Sequence, residues 1–224
     1  METYQINLFK GHAIITEGKN TILIDTGAPS TIHVRSNIEF CGDSYHCTTN
    51  YMGLTVERIS EMLGVQITTL LGTDILMNYK ILFDYRNELI EFSKAGHDFN
   101  GEEVNISSFM GIPIVKLRIG DKNFKFFLDT GAKLSYLFSN FTANYNSIGR
   151  EEDFYPGIGQ FETECYEILT SLGNKEFKVK YGNLPDLLQM TLMLGGTNGI
   201  IGFDFFNNFK VLLDLKNGIL KFED

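Results

Sequence analysis

Ile22-Leu23-Ile24-Asp25-Thr26-Gly27-Ala28 recurs 104 residues later as Phe126-Phe127-Leu128-Asp129-Thr130-Gly131-Ala132. Each copy is an apolar run ending in an aspartate and then a Thr-Gly pair, which places the carboxylate where a strand breaks into a tight loop. Two further blocks repeat in the same order. Leu70-Leu71-Gly72-Thr73-Asp74 matches Ile200-Ile201-Gly202-Phe203-Asp204, and Ile81-Leu82-Phe83-Asp84 matches Val211-Leu212-Leu213-Asp214. Three ordered matches identify an internal duplication.

The two copies differ in length. From dyad aspartate to block glycine is 47 residues in the first and 73 in the second, so the second carries 26 more. Aligning the turns at Gly42 and Gly173 leaves 30 and 29 residues to the block glycine, which confines the insertion to about 136–165. Its glycine-rich tip, Tyr155-Pro156-Gly157-Ile158-Gly159-Gln160, between strand-like flanks predicts a projecting β-hairpin. The polar stretch 96–108 is the expected linker between a first half, 1–95, and a second, 109–224.

Short β-rich runs between turn pairs such as Gly42-Asp43, Gly173-Asn174 and Asn217-Gly218 predict a mainly β fold. One helix is expected per half, at Leu54–Leu63 and Leu184–Leu194, both as core helices, with Pro185 suited to a first helical turn.

The 224 residues carry 19 Lys+Arg against 28 Asp+Glu, a net charge of −9, which argues against a nucleic-acid partner. No apolar run spans a bilayer, and no basic-then-apolar leader is visible after Met1, so a cytoplasmic protein without membrane association is expected. Cys41, Cys47 and Cys165 are too few for a disulfide framework. With His46, the first two make no paired zinc-ligand pattern, and no metal is expected. His12, His33 and His97 are scattered, with no Ser or Cys nucleophile motif beside them. Asp74 and Asp204 are expected to cap the turns that follow the block glycines, and Asp84 and Asp214 to serve strand-turn junctions.

Two carboxylates brought together across the duplication resist joint ionisation and share a proton. The pair could hold a water, the ionised carboxylate taking its proton while the protonated one donates to a carbonyl oxygen. Thr26 and Thr130 could brace the two loops. Gly27 and Gly131 permit close backbone approach, with amides aimed at the carboxylates.

With these motifs the sequence resembles the retropepsin-like aspartic peptidases, the clan of retroviral proteases and pepsin, in a single-chain duplicated form. The resemblance covers about residues 5–223. It implies a bilobal fold of two β-barrel halves and aspartic endopeptidase activity without cofactor, on a protein or peptide substrate held extended in a cleft. Asp25 and Asp129 would be catalytic, with Thr26, Gly27, Ala28, Thr130, Gly131 and Ala132 as supporting loops. The insertion is similar to the family's flap, with Tyr155, Gly157, Ile158 and Gly159 near substrate. Retroviral enzymes carry two flaps and pepsin-like ones a single flap from the first half, whereas this chain carries its insertion in the second, so subsite direction does not transfer. Ala28 and Ala132 stand where pepsin-like enzymes place a hydroxyl. Without that donor the dyad's pKa values should rise, toward a pH optimum of roughly 5–7. Because both halves of the site lie in one chain, a monomer is expected. A catalytically silent peptide- or protein-binding module is the alternative, which a lost Asp, Thr or Gly would favour; none is lost.

Overall fold

A computed structural model describes residues 1–155 and 158–224. The chain is mainly β. The first half runs β1 (Glu2–Gln5), β2 (Asn7–Phe9), β3 (His12–Glu17), β4 (Asn20–Ile24), β5 (Ile32–His33), β6 (Asn37–Phe40) and β7 (Asp43–His46). It continues with helix α1 (Val56–Leu63), β8 (Thr69–Leu71), helix α2 (Thr73–Leu76), β9 (Lys80–Asp84) and β10 (Leu89–Ser93). The second half runs β11 (Glu102–Asn105), β12 (Ser107–Phe109), β13 (Ile112–Ile119), β14 (Lys122–Leu128), β15 (Ser135–Leu137) and helix α3 (Ser139–Thr142). Then come β16 (Gly149–Tyr155), β17 (Gly159–Leu172), β18 (Lys175–Gly182), helix α4 (Asp186–Leu194), β19 (Gly199–Ile201), helix α5 (Phe203–Asn208), β20 (Lys210–Asp214) and β21 (Ile219–Glu223).

The duplication is visible strand by strand. In the first half the sheet order is β2-β3-β4-β8-β5, and in the second β12-β13-β14-β19-β15 repeats it. In each, the strand leading into the Asp-Thr-Gly loop pairs in parallel with the strand of the block glycine, Leu23 opposite Leu70 and Phe127 opposite Ile200. The second sheet continues through β18, β17 and β16, and β17 also pairs with β13, so six of its strands close on themselves. In the first half β6 and β7 form a separate two-stranded sheet. A third sheet, β1-β10-β9-β20-β21-β11, takes three strands from each half and reads equivalently from either end. Its centre is the β9–β20 contact, where Leu82 faces Leu212. The 96–108 stretch contributes β11 to this sheet and β12 to the next.

Tight turns carry the repeat as well. Lys10-Gly11 (φ 51° and 87°) and Met110-Gly111 (φ 52° and 84°) both adopt the left-handed pair that a two-residue hairpin turn requires. The main core joins the halves through Phe83, Phe126, Phe205, Phe206 and Phe222, all sealed from solvent.

The expectation of one helix per half is corrected: the first half has α1 and α2, and the second α3, α4 and α5. The added helices span only four to six residues, too short to display a 3.6-residue apolar period. Two of them start directly after Gly72 and Gly202, where the chain must turn sharply away from the preceding strand. Helix α1 forms where sequence favours it. Thr55 Oγ1 caps the Arg58 amide at 3.4 Å, Gly64 ends the helix at φ 79°, and Val56, Ile59, Ser60 and Leu63 make its buried face. Helix α4 buries Leu188 and Leu192 while Met190, Met193 and Leu194 stay exposed, so only one of its faces belongs to the core.

Candidate active site

The two Asp-Thr-Gly loops meet. Thr26 Oγ1 donates to the Leu128 carbonyl at 2.7 Å, and Thr130 Oγ1 donates to the Ile24 carbonyl at 2.8 Å. Each hydroxyl also accepts the other threonine's amide at 3.0 Å. Both threonines are buried, so four hydrogen bonds that water cannot compete for fix one loop against the other. Behind each loop runs the block strand. The Asp25 amide donates to Leu71 O and the Asp129 amide to Ile201 O, each at 3.0 Å. Gly72 N donates to Thr31 Oγ1 at 3.0 Å, and Gly202 N to Ser135 Oγ at 3.1 Å. A side chain at Gly72 would come within 2.8 Å of the Ala28 carbonyl, which explains the glycine.

This bracing aims the carboxylates at one another. Gly27 N donates to Asp25 Oδ1 and Gly131 N to Asp129 Oδ1, both at 2.8 Å. A methyl on Gly27 would lie 2.6 Å from Asp129 Oδ1, and one on Gly131 would lie 2.6 Å from Asp25 Cγ. Each carboxylate therefore sits over the opposite loop's glycine. Burial raises the pKa of both; at Asp25 the charge of Asp129 adds to the rise, and amide hydrogen bonds from Gly27 and Gly131 oppose it. The pair retains a proton into a range where an isolated aspartic acid has lost it.

The dyad opens into a cavity of about 610 Å³. Leu23, Ala28, Ile32 and Leu70 of the first half line one side, and Ala132, Tyr136 and Ile200 of the second the other. The inserted β16–β17 hairpin forms, with Tyr155 opposite Gly159, and brings Asp153, Phe154 and Tyr155 to the cavity wall. The Tyr155 hydroxyl is held neutral, pushed up to about 12 by burial and the charges of Asp129 and Asp25. Gly157 lies outside the described residues. Ile158, like Tyr155 and Phe161, is partly buried against the second half's apolar cluster, and neither it nor Gly159 lines the cavity. A polar tie anchors the hairpin: Lys133 bonds the Glu152 carbonyl and lies 3.9 Å from Asp153, which also accepts the buried Tyr136 hydroxyl.

Several cavity residues were not anticipated from sequence. Tyr51-Met52-Gly53-Leu54 forms a wall, joined by Arg58, Ile59 and Leu63 of α1, so a helix expected only to fill the core also faces the cleft. That wall turns at Met52-Gly53, with φ 50° and 86°. His12 lines the cavity too, and the Tyr85 hydroxyl is buried without a partner in reach of Asp129's charge. Asp74 and Asp204 stand apart from the dyad. Asp74 accepts from Thr31 N and Oγ1, and Asp204 from Lys180 N, so they tie the block helices to neighbouring elements. Asp84 and Asp214 each accept an amide and a side-chain bond from the asparagine three residues on. Burial raises the thiol pKa of Cys41 to about 11, and raises those of Cys47 and Cys165 as well. Among the described residues no helix is long and apolar enough to cross a membrane.

No family model matches the chain, and no curated protein does. Among solved structures, the chain is similar to a retropepsin-like aspartic protease from Rickettsia conorii. The match has a TM-score of 0.39 and 18% identity, over 55% of this chain and 91% of that one.

Proposed function

We propose that the chain is an aspartic endopeptidase that hydrolyses peptide bonds of an extended polypeptide. The observation that carries this reading is the placement of Asp25 and Asp129 over each other's loop glycine at the floor of an apolar cleft. A water bound between the carboxylates loses a proton to the ionised member while the protonated member donates to the scissile carbonyl oxygen. Attack gives a tetrahedral diol. Its collapse returns a proton to the leaving nitrogen and leaves the dyad with one shared proton again. The threonine bracing supports this chemistry by holding the carboxylates in place without reorganisation. The apolar lining supports side-chain recognition, and the β16–β17 hairpin offers a cover under which an extended chain can lie.

The test is digestion of casein from about pH 3 to 8 by wild type, Asp25→Asn and Asp129→Asn. Loss of turnover in both folded variants is expected. Full activity in either would refute the assignment.

A further inference from the structure

His12 is the histidine whose surroundings the fold leaves incomplete. His33 Nδ1 is taken up by Thr68 O and Thr69 Oγ1, and His97 lies between Lys80 O and Glu91. His12 is only 3% exposed, yet its Nδ1 is buried with no partner. An orphaned buried nitrogen has lost its water without gaining a partner, and native structures rarely tolerate one without a use for it.

Position supplies the use. The ring lies in the wall of the dyad cavity, and the Gly131 backbone of the second half's loop bears on its charge. In the tautomer that carries its proton on Nε2, the unpartnered Nδ1 presents a lone pair. Phe154, from the inserted hairpin, neighbours the ring at 6.0 Å between centroids, tilted by 36°, and packs with the first half's apolar cluster. Burial and the nearby charges of Lys133 and Lys10 keep the imidazole neutral, its pKa lowered to about 4, so Nδ1 stays an acceptor across the neutral range. The duplicate of Phe9-Lys10-Gly11-His12 is Phe109-Met110-Gly111-Ile112, so the matching place in the second half has no acceptor.

We propose that His12 is a substrate-positioning residue: its Nδ1 accepts one main-chain N–H of the bound polypeptide once Phe154 swings aside. This rests on the cleft being a peptide site, as proposed above. Because only one half carries the acceptor, it distinguishes the two directions in which an extended chain could lie.

The probe is a statine-containing hexapeptide with a set of analogues, each N-methylated at a single backbone nitrogen. Binding to wild type, His12→Ile (the duplicate's residue) and His12→Gln is measured by calorimetry. At one position, N-methylation should weaken binding to wild type roughly tenfold. It should cost His12→Ile nothing beyond its steric effect, while His12→Gln, whose amide oxygen replaces Nδ1, keeps the penalty. With casein, His12→Ile should raise KM and leave kcat near wild type. In wild type, the His12 Nδ1 resonance should shift when peptide is added, a readout that needs no folded variant. An unmoved resonance with peptide bound, or an equal penalty in His12→Ile, overturns the role of His12 and leaves the peptide cleft standing. Failure of the unmethylated peptide to bind wild type overturns both.

Discussion

Thr26 and Thr130 exchange hydrogen bonds reciprocally, each amide donating at 3.0 Å to the other's hydroxyl while that hydroxyl donates onward to a carbonyl of the opposite half. Replacing Thr26 by valine keeps the shape and removes the hydroxyl, leaving the Thr130 amide and the Leu128 carbonyl buried and unpaired. At about 1–3 kcal/mol for each such group, a loss of roughly 2–5 kcal/mol is expected. Thr26→Ser should lose far less. Urea titration of both variants measures the difference, and equal stabilities would count against the bracing.

The dyad also makes stability depend on pH. Burial lifts both aspartates above the ordinary value of 3.8, so the folded chain binds more protons than the unfolded one above that value. The dyad's contribution is therefore complete below about pH 4 and is lost as the pH rises through the folded-state pKa values. Asp25→Asn removes the penalty. Its melting temperature should match wild type near pH 3 and exceed it at pH 8, whereas Asp121→Asn, an exposed surface control, should follow wild type throughout.

Catalysis should follow the same groups. Ala28 and Ala132 offer the dyad no hydroxyl, and each carboxylate receives its loop-glycine amide without one. The activity profile on casein should peak at roughly pH 5–7. A maximum below about pH 3.5 would contradict the raised dyad.

Gly131→Ala tests the geometry directly. The new methyl would fall 2.6 Å from Asp25 Cγ, so the loops must part. Loss of casein cleavage is expected, with destabilisation of about 1–3 kcal/mol. A fully active Gly131→Ala would mean that the carboxylates do not sit as described.

Tyr136→Phe should loosen the inserted hairpin. It strips the buried Asp153 of a donor, leaving the Phe154 amide at 2.8 Å and Lys133 at 3.9 Å as its remaining ties. Faster amide exchange across Gly149–Tyr155 is expected, with exchange in β4 and β14 unchanged. Uniform exchange behaviour would place the anchor elsewhere.

Much of the candidate site is legible in the sequence because its parts are local. An apolar run, Asp-Thr-Gly and a block glycine each specify their own strand, loop or close approach, and repetition multiplies their weight. The 26-residue surplus likewise locates the β16–β17 hairpin. What escapes is the part made by long-range pairing. That β1 and β11 enter one sheet with β9 and β20 follows from the closure of both halves together, which no local pattern encodes. His12 reads as an ordinary strand residue, and Arg58 as the solvent face of an amphipathic helix. Only their placement against the second half's loop and the cavity singles them out. The four-residue helices after Gly72 and within the insertion are set by tertiary turns rather than by any period of their own.

The β9–β20 contact carries a consequence for either half taken alone. Leu82 and Leu212 are equivalent residues of the repeat and stand opposite each other in an antiparallel register. The strand is therefore complementary to its own duplicate. A half-length chain alone would present β9 as a bare edge, for which a second copy carries a strand of matching register. Within one chain the two copies need not stay identical, and here one carries the hairpin and the other the histidine.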